Sequence, residues 1–225
     1  AGLTPASATP LNVTIGPHRR FDWTSADLEA LRALRVSHGA TVNDVVLTVL
    51  AGALGRFFHQ RGIDARSLDF RVMCPVNVRD AETRRHVGNR VAMIVVRLPL
   101  GERDPTRRLE RVMAETRRSK GSRQALGVRA ISEVSDWVSP ALMRDFARLT
   151  TLSRPYNLVV TNVPGPPFPV YVAGARRLAC YPVVPLFANQ ALGVALFSYD
   201  GRLYFGFNAD WDVVPDLHDL VQAVD

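Results

Sequence analysis

Thr41-Val42-Asn43-Asp44 puts a hydroxyl, a carboxamide and a carboxylate at the start of a long apolar segment. Thr41 and Asp44 have the spacing of a capping box, in which hydroxyl and carboxylate take up free backbone amides. Asn43 is surplus to that task. Taken alone, these residues describe an ordinary capped core helix. A helix start with free amides, an Asn and an Asp is also good ground for a polar site. Three more polar stretches stand at the ends of apolar segments: Cys74-Pro75-Val76-Asn77-Val78-Arg79, Gly88-Asn89-Arg90, and Thr161-Asn162-Val163-Pro164-Gly165-Pro166. Each alone is turn chemistry. Together they fall where α/β folds place ligand sites, which makes Arg79, Asn89, Asn162, Pro164 and Gly165 candidate binding residues beside Asn43 and Asp44.

Other chemistries find no support. The motifs Gly-x-Ser-x-Gly and His-Glu-x-x-His are missing, as are a phosphate-binding P-loop and a dinucleotide-binding glycine fingerprint. His18-Arg19-Arg20-Phe21-Asp22 spells His-x-x-x-Asp, but a single His followed by Trp23 reads as a strand edge. Cys74 and Cys180 stand too far apart for a zinc motif or a disulfide framework, which fits a reducing cytoplasm. The net charge of +7 permits acidic partners without choosing among them. Eight basic residues between Arg103 and Arg123, including the single lysine Lys120, read first as a solvated helix face. An anionic membrane surface and the phosphates of a cofactor are the sharper alternatives. Nucleic acid is not expected, because no aromatics interleave with the charge. No run of roughly 18 apolar residues offers a membrane-spanning helix. The first residues lack the features of a signal peptide and an initiator Met, so the chain is expected to begin partway through a longer protein.

The elements that must position these residues follow from periodicity. Residues 1–17, rich in Pro and Gly, read as an extended linker on a surface, and His18–Trp23 as a short strand. The expected division is residues 1–24 as linker and first strand, then 25–225 as one lobe. Ser25 is expected to cap a helix over about 26–36, with Leu28, Leu31 and Leu34 on one face. Val45, Val46, Val49, Leu50, Ala53, Leu54, Phe57 and Phe58 give the next helix one wide apolar face, ending near Gly62. Strands are expected over 68–76 and 87–100. Asp104-Pro105 starts a basic helix, and one or two amphipathic helices occupy 125–152. Strands follow over 157–163, 170–182, 191–199 and 203–209, with Asp200-Gly201 as a hairpin turn and Pro215 opening a last helix. The sum is an α/β structure, a mixed sheet with helices in two layers.

The ordered set Ala40-Thr41-Val42-Asn43-Asp44-Val45-Val46-Leu47, Pro75-Val76-Asn77-Val78-Arg79, Gly88-Asn89-Arg90 and Thr161-Asn162-Val163-Pro164-Gly165-Pro166 resembles the C-terminal half of the bacterial wax ester synthase/diacylglycerol acyltransferase family. More distantly the layout is similar to one lobe of the CoA-dependent, chloramphenicol acetyltransferase-like fold and of peptide-synthetase condensation domains. The resemblance implies transfer of a fatty acyl group from acyl-CoA, a substrate rather than a bound cofactor, to diacylglycerol or a long-chain alcohol. It implies two lobes with a tunnel between them, and possible peripheral contact with a membrane or lipid droplet. The family's catalytic base is a histidine in His-His-x-x-x-Asp-Gly. That motif is missing here and belongs to the family's N-terminal half, so this chain alone is expected to be inactive. In the implied scheme Asn43 donates to the oxyanion or holds the loop of the catalytic histidine. Asp44 orders the helix start or pairs with an Arg across the lobe interface, and Asn162, Pro164 and Gly165 form a tunnel wall or a lobe-crossing loop. The competing expectations are a non-enzymatic lobe that binds lipid or protein, and a condensation-type lobe acting on carrier-bound substrates.

Overall fold

The computed structural model describes residues 4–77, 91–121 and 155–224. Within them a six-stranded sheet carries the architecture. Its strands are β1 (Arg19–Asp27), β2 (Arg71–Asn77), β3 (Val91–Arg97), β4 (Leu158–Pro164), β7 (Leu192–Tyr199) and β8 (Arg202–Asp210), in the order β1-β8-β7-β4-β2-β3. Two antiparallel groups, β1-β8-β7 and β2-β3, are joined through β4, which runs parallel to both β7 and β2. The helices are α1 (Leu28–His38), α2 (Val42–Gln60), α3 (Pro105–Gly121) and α4 (Leu217–Gln222).

α2 is the centre of the core. Val45, Val46, Leu50, Leu54, Phe57 and Phe58 are buried against Val72, Val160, Val194, Leu196, Phe205 and Phe207, which alternate along the strands onto one sheet face. Each such side chain contributes roughly 1.5–3 kcal/mol on burial, so α2 is fixed in place by its packing more than by helix propensity. α3 packs on α2 and β3. The second sheet face has a smaller cluster, Val159, Ala195 and Val184 with Met73 and Tyr156. Beyond it Phe21, Trp23, Tyr181 and Tyr204 form a chain of rings at centroid distances of 5.9, 5.3 and 5.4 Å, and Trp23 is 50% exposed.

The structure differs from the sequence reading in several places. β1 continues to Asp27, because Ser25 and Ala26 still pair with β8. Asp27 is therefore the cap of α1, accepting from the amides of Glu29 and Ala30 at 2.7 and 2.9 Å, while Ser25 bonds Arg202. β1 runs across residue 24 without interruption. The lead-in is stitched to the core: Ala6 and Leu11 are buried, the Ser7 amide donates to Asp69 O, and the Ala191 amide donates to Leu11 O. The strand expected over 170–182 is a small hairpin of β5 (Tyr171–Val172) and β6 (Ala175–Arg176), turning at Ala173 and Gly174 with positive φ. The chain then crosses the second sheet face instead of joining the sheet. Gly206 admits it, since a Cβ there would collide with the Pro182 carbonyl, and Asn208 Nδ2 donates to Val184 O at 2.9 Å. The helices expected over 125–152 and the strand residues 87–90 lie outside the described residues. No single helix among the described residues is long and apolar enough to cross a membrane.

Candidate functional site

The capping box at the start of α2 is formed as expected, and it absorbs Asp44. The Asp44 amide donates to Thr41 Oγ1 at 3.2 Å, and the Asp44 carboxylate accepts from the Thr41 amide at 2.8 Å and its hydroxyl at 2.7 Å. Its other oxygen accepts from Thr116 Oγ1 of α3 at 2.7 Å. Asp44 is only 4% exposed and Thr116 3%. A buried carboxylate is tolerable because three hydroxyl and amide donors and the helix N-terminus surround it. Asp44 thus orders the helix start and ties α2 to α3.

Asn43 is free of that network, being only half-buried. Its Oδ1 accepts from Asn162 Nδ2 of β4 at 2.6 Å, across a separation of 119 residues. Asn162 reaches it because β4 alternates: Leu158 and Val160 face α2, and Asn162 continues the same face one step beyond the apolar core. The contact uses the carbonyl end of Asn43, and its NH2 makes no hydrogen bond among the described residues. Beside the pair lies a cavity of about 20 Å³, lined by Asn43, Asp44, Cys74, Thr116, Lys120 and Asn162 among others. It has room for one small polar group. Burial pushes the Cys74 thiol up to about 12, so Cys74 is a packing residue and not a nucleophile.

Of the other candidates, Pro164 and Gly165 lie past Asn162 and meet the end of β7 instead of α2. Pro164 pairs with Ser198, and the Gly165 amide donates to Ser198 Oγ at 3.1 Å. A Cβ at Gly165 would collide with the Ser198 carbonyl and the Phe197 ring, so glycine is required there by backbone approach. Tyr199 holds the following loop: its hydroxyl accepts from the Val170 amide and donates to Arg177 O. Arg79 and Asn89 lie outside the described residues. Asp22, paired in sequence with His18, instead bonds His218 Nδ1 at 2.8 Å on the edge strand. Among the described residues no histidine lines the cavity, and they contain no cluster of metal-ligating side chains.

Thr116 and Lys120 were missed by the sequence reading. Thr116 was legible in principle. Leu109 and Val112 mark the buried stripe of α3, and Thr116 is the next position on it, a polar residue where an apolar one belongs. The arrangement as a whole can present an oriented carboxamide N–H at the mouth of a small cavity, backed by a rigid network.

A family model described as the WS/DGAT C-terminal domain matches residues 87–225, and one described as the wax ester synthase/diacylglycerol acyltransferase catalytic domain matches residues 1–46. A Mycobacterium tuberculosis (strain CDC 1551) protein that carries the name of a diacylglycerol O-acyltransferase is 37% identical over 97% of the chain and 45% of its own length. The solved wax ester synthase/diacylglycerol acyltransferase of Marinobacter aquaeolei VT8 superposes with a TM-score of 0.75 at 25% identity, over 98% of this chain and 50% of that one. A nonribosomal peptide synthetase structure matches at a TM-score of 0.58 and 17% identity, over 98% of this chain and 22% of that one, a likeness of fold alone. The chain thus spans about half the length of the relatives it matches.

Proposed function

The chain belongs to the wax ester synthase/diacylglycerol acyltransferase family, and from that premise we propose that it acts as the C-terminal lobe of an acyl-CoA-dependent O-acyltransferase. The acceptor is the hydroxyl of diacylglycerol or of a long-chain alcohol. The oxygen attacks the thioester carbonyl, its proton passes to a base, the C–O bond forms, and the C–S bond breaks to release CoA. A second, N-terminal lobe supplies the histidine base. Asn43 lends its NH2 to the oxygen on which negative charge develops, and Asn162 holds that amide in place. Asp44 and Thr116 keep the helix start rigid. Reaction occurs in the cytoplasm, against a membrane or lipid-droplet surface where the acceptor resides.

The observation that carries this reading is the Asn162–Asn43 hydrogen bond, which uses the acceptor end of Asn43 and leaves its donor end for a ligand. The test compares the purified chain with a two-lobed protein that includes it, using labelled acyl-CoA and diacylglycerol. Absence of a general base is worth a factor of about 10²–10⁴ in rate, before losses in binding, so the chain alone gives no measurable ester. Robust turnover by the chain alone overturns the division of labour.

A further inference from the structure

At the other end of α2, 13 residues from Asn43 to Arg56 and so roughly 20 Å along the helix, lies a larger opening. This cleft of about 820 Å³ is walled by the last turns of α2, residues 62–66 and residues 100–103 leading into α3. Four arginines line it, Arg56, Arg66, Arg103 and Arg108, together with His59. Against them stand two carboxylates in the wall, Asp64 and Glu102. Asp64 accepts from the Arg66 amide at 3.0 Å, and Glu102 pairs with Arg111 at 3.0 Å. Arg108 is set into the wall: its Nε and Nη2 donate to the carbonyls of Glu102 and Arg103 at 2.9 and 3.0 Å. Gly52 makes this possible, since a Cβ there would overlap the Arg108 guanidinium. A glycine inside a helix costs about 1 kcal/mol relative to alanine, a cost this arrangement accepts. Burial, with the neighbouring Arg56 charge, holds the Arg108 guanidinium below its ordinary value, although Glu102 and Asp104 act the other way.

A helix C-terminus attracts positive charge, which accounts for Arg56 and His59. It does not account for Arg66 and Arg103, which lie off the helix and whose side chains make no hydrogen bond or ion pair among the described residues. We propose that this cleft binds a phosphate-bearing ligand, gripped by the Arg66 and Arg103 guanidinium groups, with Arg56 and Arg108 supplying fixed positive charge. The volume falls within the roughly 300–1,000 Å³ of small-molecule sites, and guanidinium forks match phosphate oxygens two at a time. The ligand is either a soluble phosphomonoester or the head group of an anionic phospholipid, and the site stands independently of the acyl-transfer reading.

The experiment titrates the full chain with inorganic phosphate and with glycerol 3-phosphate by calorimetry. In parallel it measures flotation with phosphatidylcholine vesicles with and without phosphatidate. The double variant Arg66→Gln/Arg103→Gln is compared with Arg32→Gln/Arg35→Gln, which removes equal charge from α1. The cleft pair is expected to weaken binding roughly 10-fold per arginine, while the α1 pair changes it little and thermal melts stay unchanged. Binding of the soluble phosphates identifies the first source; binding confined to phosphatidate vesicles identifies the second. The proposal is overturned if the parent binds no probe at low salt, or if both variant pairs lose binding equally.

Discussion

Asn43 and Asn162 offer the sharpest dissection, because their single contact separates stability from catalysis. The perturbations are Asn43→Ala, Asn162→Ala and the double variant, made in a two-lobed protein carrying this chain. The structure gives the pair one hydrogen bond of 2.6 Å between neutral, partly buried groups. Such a bond contributes about 0.5–1.5 kcal/mol net, a small part of a stability of roughly 5–15 kcal/mol. Either single variant should therefore stay folded. Loss of an oxyanion donor costs about 10²–10³ in kcat, or roughly 2.7–4 kcal/mol at the transition state. Asn43→Ala should lose that much with KM nearly unchanged. Asn162→Ala leaves the Asn43 amide in place but free to rotate, so its loss should be smaller, of order 10-fold. The double variant should be no worse than Asn43→Ala, because Asn162 acts only through Asn43. The assay is kcat and KM for ester formation, beside the urea midpoint of each variant. If Asn43→Ala lowers the midpoint while the folded fraction keeps its turnover, the residue belongs to the helix start alone and the donor role fails.

The remaining expectations concern the frame around that pair. Thr116→Val removes a hydroxyl that bonds the buried Asp44 carboxylate, and hydrogen bonds to charged groups are worth about 1.5–3 kcal/mol. A urea midpoint within error of the parent would refute the α2–α3 tie. Cys180 is partly exposed and Cys74 buried with its thiol held near 12, so a thiol reagent at mildly alkaline pH should titrate one sulfur in the native chain and two in denaturant. Two fast thiols in the native chain would contradict the packing. Asp216 is held below the usual carboxylate range by the Arg61 side chain. For Asp210, burial alone would raise the carboxyl, but the amides of Val213, Gly16 and Asp212, with Arg19, hold it low. Both folded values are depressed, so their stabilisation is full above the unfolded value of about 3.9 and is lost as pH falls through the folded values. Asp210→Asn should lower stability at neutral pH and flatten the acid fall, which a urea series from pH 7 downward reads out.

The sequence carried α2 and its capping box because a strong apolar face and a Thr-x-x-Asp spacing both act locally. It also carried the β7–β8 hairpin, since Asp200-Gly201 takes positive φ at both residues. It failed where neighbours decide. Ser25 was as good a cap as Asp27 until β8 proved long enough to keep residues 25 and 26 extended. The stretch 170–182 has strand composition, yet it forms a hairpin of two-residue strands and then crosses the second sheet face, where Gly206 and Asn208 receive it. In the site, Asn43 and Asn162 were each legible as polar residues at element ends. Their bond depends on β4 lying parallel between β7 and β2, a long-range choice that no local pattern encodes. Lys120 reaches the cavity from a helix whose composition reads only as basic and solvated.

The pairing of β1 with β8 carries a consequence for synthesis. Arg19 opposes Asp210, so the outer strand of the sheet waits for a partner made about 190 residues later. At about 5–20 residues per second that wait is on the order of 10–40 s, during which Phe21 and Trp23 sit on an unpaired strand. α1 and α2 can form early from local contacts, but they close over a sheet whose β8 is still missing. The nascent chain is therefore a natural client for chaperones until β8 emerges, and any truncation that removes β8 strands β1 permanently.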